Sequence, residues 1–536
     1  MMLKENAKQI DLHPAERMIG NPLQGNHKPN GKNKIKTLDE LTVCLAQLRL
    51  KGQKIVHCHG VFDLLHIGHI RYFEQAQTLG DVLIVTLTPD NFVDKGPYRP
   101  AFNEMLRAEA IASLSSVDFV AINKWPTAEN TLRLLRPDFY VKGSEFKEVG
   151  SDITGKIDRE AQVVREIGAT LAFTEDIVFS SSNLINEYLS NLPKEIDGYM
   201  RLFRQRFHLD YLLEIIERMA ELDVLVIGDT ILDEYQYCDA IGKSSKDPTL
   251  AIRYKAHDLF AGGVLAVANH VANFARSVTL ISVIGEQDSH EQFIRSQLHA
   301  NIIPHFVTQP DAPTTIKRRF IDSNSFNKLL EVYVMDDSGL PDEDMRALQT
   351  TLKKELAGHD LTIASDFGHG AISNETVSIL SDQARFLAVN TQANASNRGF
   401  HTLSRYPGMH YASIAEHELK LELRKTKVNI RPEMHRIAQA MGCRQFAVTR
   451  GRSGCAVADP LGDFVQVPTF TERVVDRVGA GDAFLSLTAM AAIQDVPCEV
   501  LGFLGNVAGA LAVEIIGNKK AFDKSSVQKY ITALMK

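Results

Sequence analysis

Val82-Leu83-Ile84-Val85-Thr86-Leu87-Thr88 is a near-continuous apolar run. A strand with one wet face alternates apolar and polar residues. A strand buried on both faces does not, and it belongs in a parallel sheet covered on both sides. The run has neighbours of both kinds. Ile55–His59, Asp118–Ile122 and Phe139–Lys142 read as strands; His66–Leu79, Phe102–Leu114 and Lys156–Ile167 read as helices. Within Phe102–Leu114, the residues Phe102, Leu106, Ala110 and Leu114 recur on one helical face. Alternating strands and helices predict an α/β fold, with sites at the carboxyl ends of the strands. The pattern restarts at Val224-Leu225-Val226-Ile227-Gly228-Asp229, a buried strand ending in a glycine turn, and continues to the C-terminus.

A chain of 536 residues exceeds one hydrophobic core. The expected division is a polar tail over 1–36, an α/β unit over 37–192, a helical linker over 193–222 and a second α/β unit over 223–536. The tail is rich in Asn, Lys, Pro and Gly and lacks an apolar signal core. The linker carries Arg201, Arg204, Arg206, Glu214, Glu217 and Arg218, as a docking helix or a plain solvated face would. A net charge of -7 argues against nucleic acid as a partner. Six cysteines without a CxxC pair read as reduced thiols of a cytoplasmic protein. No apolar run reaches the ~18 residues of a membrane span.

Directly after Ile55-Val56 comes Gly60-Val61-Phe62-Asp63-Leu64-Leu65-His66-Ile67-Gly68-His69. Two imidazoles three residues apart at a helix start project from one side. Gly68 between them lets a bulky anion approach the backbone. Unpaired N–H groups and the positive dipole end add attraction. The set suits a nucleoside triphosphate attacked at its α-phosphorus, with the imidazoles stabilising charge on the phosphoryl oxygens and on departing pyrophosphate. His57 and His59, on one face of the preceding strand, leave a second reading: four histidines holding zinc. The Gly-x-Phe-Asp frame and the absence of a zinc-protease glutamate favour the first. The motif resembles the HxGH nucleotidylyltransferase superfamily.

The resemblance covers residues 50–192. More narrowly, the segment is similar to the adenylyltransferase half of the bifunctional heptose kinase/adenylyltransferases of lipopolysaccharide-core synthesis; glycerol-3-phosphate cytidylyltransferases are more distant. It rests also on Asp81–Val85, on Lys95-Gly96-Pro97-Tyr98-Arg99-Pro100 with Arg107, on Val141-Lys142-Gly143, and on Phe179–Ile185. It implies a Rossmann-like domain with His66, His69 and Lys142 catalytic. Gly60, Phe62, Asp63, Gly68, Lys95, Arg99, Arg107, Ser181 and Ser182 would then bind nucleotide. Basic side chains near loops suit phosphate. Ser181 and Ser182, ahead of an apolar helical run, suit a further phosphate or simple N-capping. Asp63 orients a ribose or metal, or forms a turn. The implied chemistry is attack of a sugar-phosphate oxygen on the α-phosphorus of ATP or CTP, with Mg²⁺ on the phosphates and no protein nucleophile.

Asp476-Arg477-Val478-Gly479-Ala480-Gly481-Asp482-Ala483-Phe484 is the sharpest motif of the second half. Gly479, Ala480 and Gly481, ahead of the apolar helix Phe484–Ala492, leave N–H groups for an anion. Asp482 can take the proton of a hydroxyl attacking a γ-phosphate; a plain glycine-rich helix cap is the other reading. The segment resembles the Gly-Ala-Gly-Asp signature of the ribokinase/PfkB sugar kinases. So do Gly228–Asp233, whose Asp233 would contact sugar, and Ala261-Gly262-Gly263, the sugar-binding glycine pair. Thr314, Lys317 and Arg319, Ser365–Gly370 and Val448–Gly454 also match. The resemblance covers 222–536 and implies a ribokinase-like α/β domain that phosphorylates a sugar with ATP. The chain departs from the family at Ala266 and Ala415 (Asn in relatives), at Asn390-Thr391-Gln392 (Asp-Pro-Lys) and at Val478 (Thr).

Together these resemblances imply a bifunctional enzyme of nucleotide-sugar synthesis with reversed domain order. Its partners would be a nucleoside triphosphate and a sugar or sugar phosphate, with no nucleic acid or membrane; a homo-oligomer is compatible. No metal ligand is assigned. The departures motivate an alternative: an active cytidylyltransferase for a polyol or sugar phosphate, beside an inactive kinase-like module that binds sugar or mediates oligomerisation.

Overall fold

The computed structural model describes residues 31–93, 95–97, 99–144, 156–174, 192–336, 338–397 and 399–536. Ser181 and Ser182 lie outside the described residues. Residues 31–36, expected in the polar tail, pack onto the first unit. Lys34 is buried and donates to Leu114 O and Val117 O, both at 2.7 Å, and Ile35 bridges Val120.

The first unit is a five-stranded parallel sheet of β1 (Ile55–Gly60), β2 (Val82–Leu87), β3 (Phe119–Ile122), β4 (Phe139–Lys142) and β5 (Thr170–Phe173). Its order is β3-β2-β1-β4-β5. The chain winds outward from β1 in one direction, then jumps to β4 and winds in the other. The carboxyl ends of β1 and β4 therefore border the point where the connections diverge and leave a crevice. β2 is buried along its whole length, as its apolar run requires. One expectation fails. The helix Glu104–Ala112 buries Arg107, Ala108, Ile111 and Ala112, while Phe102 and Leu106 remain 45% and 49% exposed. Arg107 causes the turn: its guanidinium points inward to Val61 O, Phe102 O, Thr88 O and the Asp90 carboxylate.

The second unit is built on one long strand. The expected glycine turn after Ile227 does not form, and β6 runs from Asp223 to Lys243. Gly228 serves close packing instead, since a Cβ there would lie 2.1 Å from Ser365 O of the neighbouring strand. Up to Asp229, β6 lies between β8 (Ser277–Gln287) and β12 (Leu361–Asp366), parallel to both. Beyond that point it pairs antiparallel with β7 (Leu250–Gly263) and parallel with β10 (Ile316–Asp322), which carries β11 (Lys328–Val334). A flap thus rises from the carboxyl edge of the main sheet. β9 (Ile302–Pro313) flanks β8. On the other side follow β13 (Leu387–Thr391), β14 (Tyr411–Ala415), β15 (Gln445–Thr449), β16 (Cys455–Ala458) and β17 (Phe464–Val467). Val224 and Val226 enter one hydrophobic core and Leu225 and Ile227 the other, so both sheet faces are covered.

The charged stretch before β6 forms helices Lys194–Arg206 and Leu209–Arg218. Ile196, Met200, Phe203, Leu212 and Ile215 insert into the first of those cores, with Phe203 stacked on Phe503 at 4.4 Å. Arg204 clamps the last helix, Lys524–Met535, through Nε and Nη2 to Leu534 O. That helix reaches the first unit at Gly96, where a Cβ would lie 2.2 Å from the Ala533 methyl. Among the described residues no helix is long and apolar enough to cross a membrane.

Candidate active sites

The first site forms at the β1–β4 crevice. His66 is the N-cap of the helix Ile67–Gln77, and its Nδ1 accepts the Gly68 N–H at 3.1 Å. An accepting Nδ1 places the ring proton on Nε2. His66 and His69 stack with centroids 4.0 Å apart, and Phe62 sets its ring edge-on to His69 at 5.3 Å. Phe62 takes a left-handed φ of 48° to do so. Burial lowers the His66 pKa. Burial, then the charges of His66 and Lys95, push His69 down to about 3. Both rings are therefore neutral at pH 7.

His57 Nε2 and His59 Nδ1 both meet the Thr86 hydroxyl, at 2.7 and 2.8 Å. One hydroxyl donates to one ring and accepts from the other, so this pair is a strand-to-strand tie. Burial holds His57 well below its usual range. Among the described residues, the one cluster of side chains suited to a metal is Asp459, Asp463 and Cys498. It contains no histidine, against the four-histidine zinc alternative.

Asp63, fully buried, pairs with Arg99 at 2.8 Å and accepts the Ala101 N–H at 2.6 Å. It fixes the segment carrying Lys95 and Arg99. Lys95 is open to solvent, but surrounding protein and then Arg99 lower its pKa, with Asp63 opposing and Lys536 and Arg107 adding. Arg107, expected at the nucleotide, is 2% exposed and engaged by backbone carbonyls; it braces the loops after β1 and β2. A Cβ on Gly60 would press on the Phe62 ring at 3.0 Å. Lys142, at the end of β4, pairs with Glu160 at 2.8 Å.

The second site lies where the flap leaves the main sheet. Gly479, at φ 83°, caps the helix Ala480–Ala492, with Asp482 in its first turn. The Asp482 pKa is pushed up to about 7, by burial first, then by Asp233, with Lys317 opposing and Glu418 adding. Asp233 accepts from Arg319 Nη1 and, at 3.2 Å, from Asn518 Nδ2. A Cβ on Gly262 would lie 2.2 Å from Asp233 Oδ2, so only glycine fits. Gly263, at φ 55°, opens the helix Val264–Ala272. Burial depresses the Lys317 ammonium, which lies 5.5 Å from the Tyr333 and Phe367 ring centroids. Asp229 accepts from Phe367, His369 and Ala371 N–H groups, holding the loop after β12.

The residues 221–523 match the model of the pfkB family carbohydrate kinases. The chain belongs to that family. Residues 57–187 match the cytidylyltransferase-like family, and the chain joins this Rossmann-like nucleotidyltransferase domain to the kinase fold. The first region is similar to the "Bifunctional protein HldE" of Aliarcobacter butzleri, 42% identical over 132 residues, 24% of this chain and 27% of that protein. The protein of the same name from Citrifermentans bemidjiense is 35% identical over 170 residues, 31% of this chain and 34% of its own. The chain thus spans between a quarter and about a third of these relatives. Among solved structures, phosphofructokinase-2 from Escherichia coli with substrates and products is similar at 16% identity and TM-score 0.48, covering 59% of this chain and 100% of that one. Arabidopsis thaliana ribokinase with ribose and ATP is similar at 17% identity and TM-score 0.43, covering 58% and 99%.

Three participants escaped the sequence. Glu160 sits on an ordinary amphipathic helix. Asn518 reaches Asp233 from 285 residues away. Arg405 pairs with the buried Asp366 at 2.7 Å, beside the Tyr406 hydroxyl at 2.8 Å. Only a buried acid in need of a cation signals the last.

Proposed function

We propose that the chain is a bifunctional enzyme of nucleotide-sugar synthesis, one unit over about 37–192 transferring a nucleotidyl group to a sugar phosphate and the other over about 223–536 phosphorylating a sugar. The observation that carries the first activity is the pair of stacked, neutral imidazoles at a helix start on the crevice. A neutral His66 with its proton on Nε2 donates without repelling the cations of Lys95 and Arg99. Charge building on the α-phosphoryl oxygens and on departing pyrophosphate meets donors already in place. Lys142, the last residue of β4, whose carboxyl end borders the crevice, suits the phosphate of the acceptor.

At the second site the N–H groups from Gly479 to Gly481 receive the ATP phosphates, and the Gly262–Gly263 turn with Asp233 receives the sugar. Asp482, titrating near neutrality, takes the proton of the attacking hydroxyl. Mg²⁺ on either triphosphate would neutralise phosphate charge. The test is pyrophosphate release, screening nucleoside triphosphates against sugar 1-phosphates and polyol phosphates. His66→Ala and His69→Ala are expected to lose roughly 10²–10³-fold each, as for one oxyanion donor. Full rates in both variants would overturn the assignment. ATP turnover against a sugar panel tests the second site.

A further inference from the structure

Glu160 is buried, 4% exposed, and no step described above uses it. It projects from the helix Lys156–Glu166 onto the end of β4. There its carboxylate pairs with Lys142 Nζ at 2.8 Å and accepts the Tyr140 hydroxyl at 2.9 Å. Tyr140 and Lys142, two residues apart on a strand, share one face. The Lys142 ammonium lies 5.1 Å from the Tyr140 ring centroid, and the His57 ring backs that tyrosine at 5.4 Å. The two side chains of the ion pair are only 11% and 5% exposed.

A lysine stem has four carbons and many rotamers. A nearly dry acid selects one of them, because an unpaired charge at this depth is strongly disfavoured. An ammonium carries three N–H donors, so directing one at Glu160 orients the others. We propose that Glu160 is a positioning residue for nucleotidyl transfer, holding the Lys142 ammonium at the carboxyl end of β4, where it meets the phosphate of the acceptor. The inference rests on the transferase reading of the first site.

The test is pyrophosphate release by the full chain at varied acceptor phosphate. Glu160→Ala is expected to raise the acceptor KM about tenfold with a smaller change in kcat, and Lys142→Ala at least as much. The double variant should be no worse than Lys142→Ala, because Glu160 acts only through that ammonium. Glu160→Gln keeps the shape and an acceptor for the Tyr140 hydroxyl but leaves the ammonium without a counter-charge, so the acceptor KM should still rise severalfold, by less than in Glu160→Ala. If alanine at 160 unfolds the first unit, Tyr140→Phe carries the same test: a severalfold higher KM, and no effect in the Lys142→Ala background. An unchanged KM in Glu160→Ala, or losses that multiply in the double variant, would overturn the proposal in favour of a purely architectural glutamate. A wild-type chain that releases no pyrophosphate with any acceptor is a separate result, and it overturns the transferase reading itself.

Discussion

Asp482→Asn should inactivate the kinase and stabilise the protein at once. The Asp482 pKa stands at about 7 against 3.8 in an exposed chain. At 1.36 kcal/mol per unit, ionising it in the fold costs about 4 kcal/mol more than ionising it in the unfolded chain. The sign follows from the raised folded value. The stability from holding the proton is complete below about pH 4, declines as pH rises, and is gone above about pH 7. Asparagine has the same shape and no charge to bury. The variant and wild type should therefore melt together near pH 4–5 and separate with rising pH. The gap should plateau above pH 7 at no more than about 4 kcal/mol, on the order of 8 °C for a unit this large. Kinase turnover should rise with pH through about 7 in wild type and fall roughly 10²–10⁴-fold in the variant. Melting scans at half-unit steps from pH 4.5 to 8.5, beside ATP turnover, read both effects. A stability gap that ignores pH, or a variant that still turns over ATP at the wild-type rate, would refute the assignment of Asp482 as a buried base.

Two further substitutions probe the supports. Asp63→Asn removes the buried partner of Arg99 while leaving an acceptor for the Ala101 N–H; melting should drop by an amount equivalent to about 3 kcal/mol. The nucleotide KM should rise in the pyrophosphate assay, whereas kinase turnover stays at the wild-type level. Gly479→Ala puts a Cβ 2.2 Å from Asn518 Oδ1 at a φ of 83°. The left-handed backbone alone costs about 1–2 kcal/mol, so the ATP KM of the kinase should rise while pyrophosphate release is unaffected.

The sequence exposed what is local. The buried β2, the helix start at His66 and the glycine-capped helix start at Gly479 are each contiguous, and a few residues determine each of them. The misread features depend on partners far along the chain. Gly228 looks like a turn because glycine commonly ends a strand; it is there because Ser365 O approaches it. Arg107 looks like a phosphate ligand because basic side chains near loops suit phosphate; in the structure the loop carbonyls of Val61, Phe102 and Thr88 hold its guanidinium. The apolar face of its helix is displaced in consequence. Asn518 has no local pattern at all, since its role exists only once Asp233 and Gly479 are brought beside it.

The departures from the kinase pattern decide between an active site and a scaffold. Asn390, in place of an aspartate, donates to Ser413 O at 2.6 Å and ties β13 to β14. Ala415 lacks a capping side chain, and Glu418 replaces it from within the helix, accepting Ala415 N–H at 2.6 Å and Ala393 N–H at 2.9 Å. Positions 390 and 415 thus have local architectural roles that this chain meets in other ways. The groups that would move a proton are intact: Asp482, with Asp233 and Lys317 acting on it in opposite directions. A module kept only to bind sugar or to dimerise would be more stable with a neutral residue at 482, by the margin worked out above. Retaining a buried carboxylate that ionises near pH 7, in the first turn of the helix capped by Gly479, favours a working kinase.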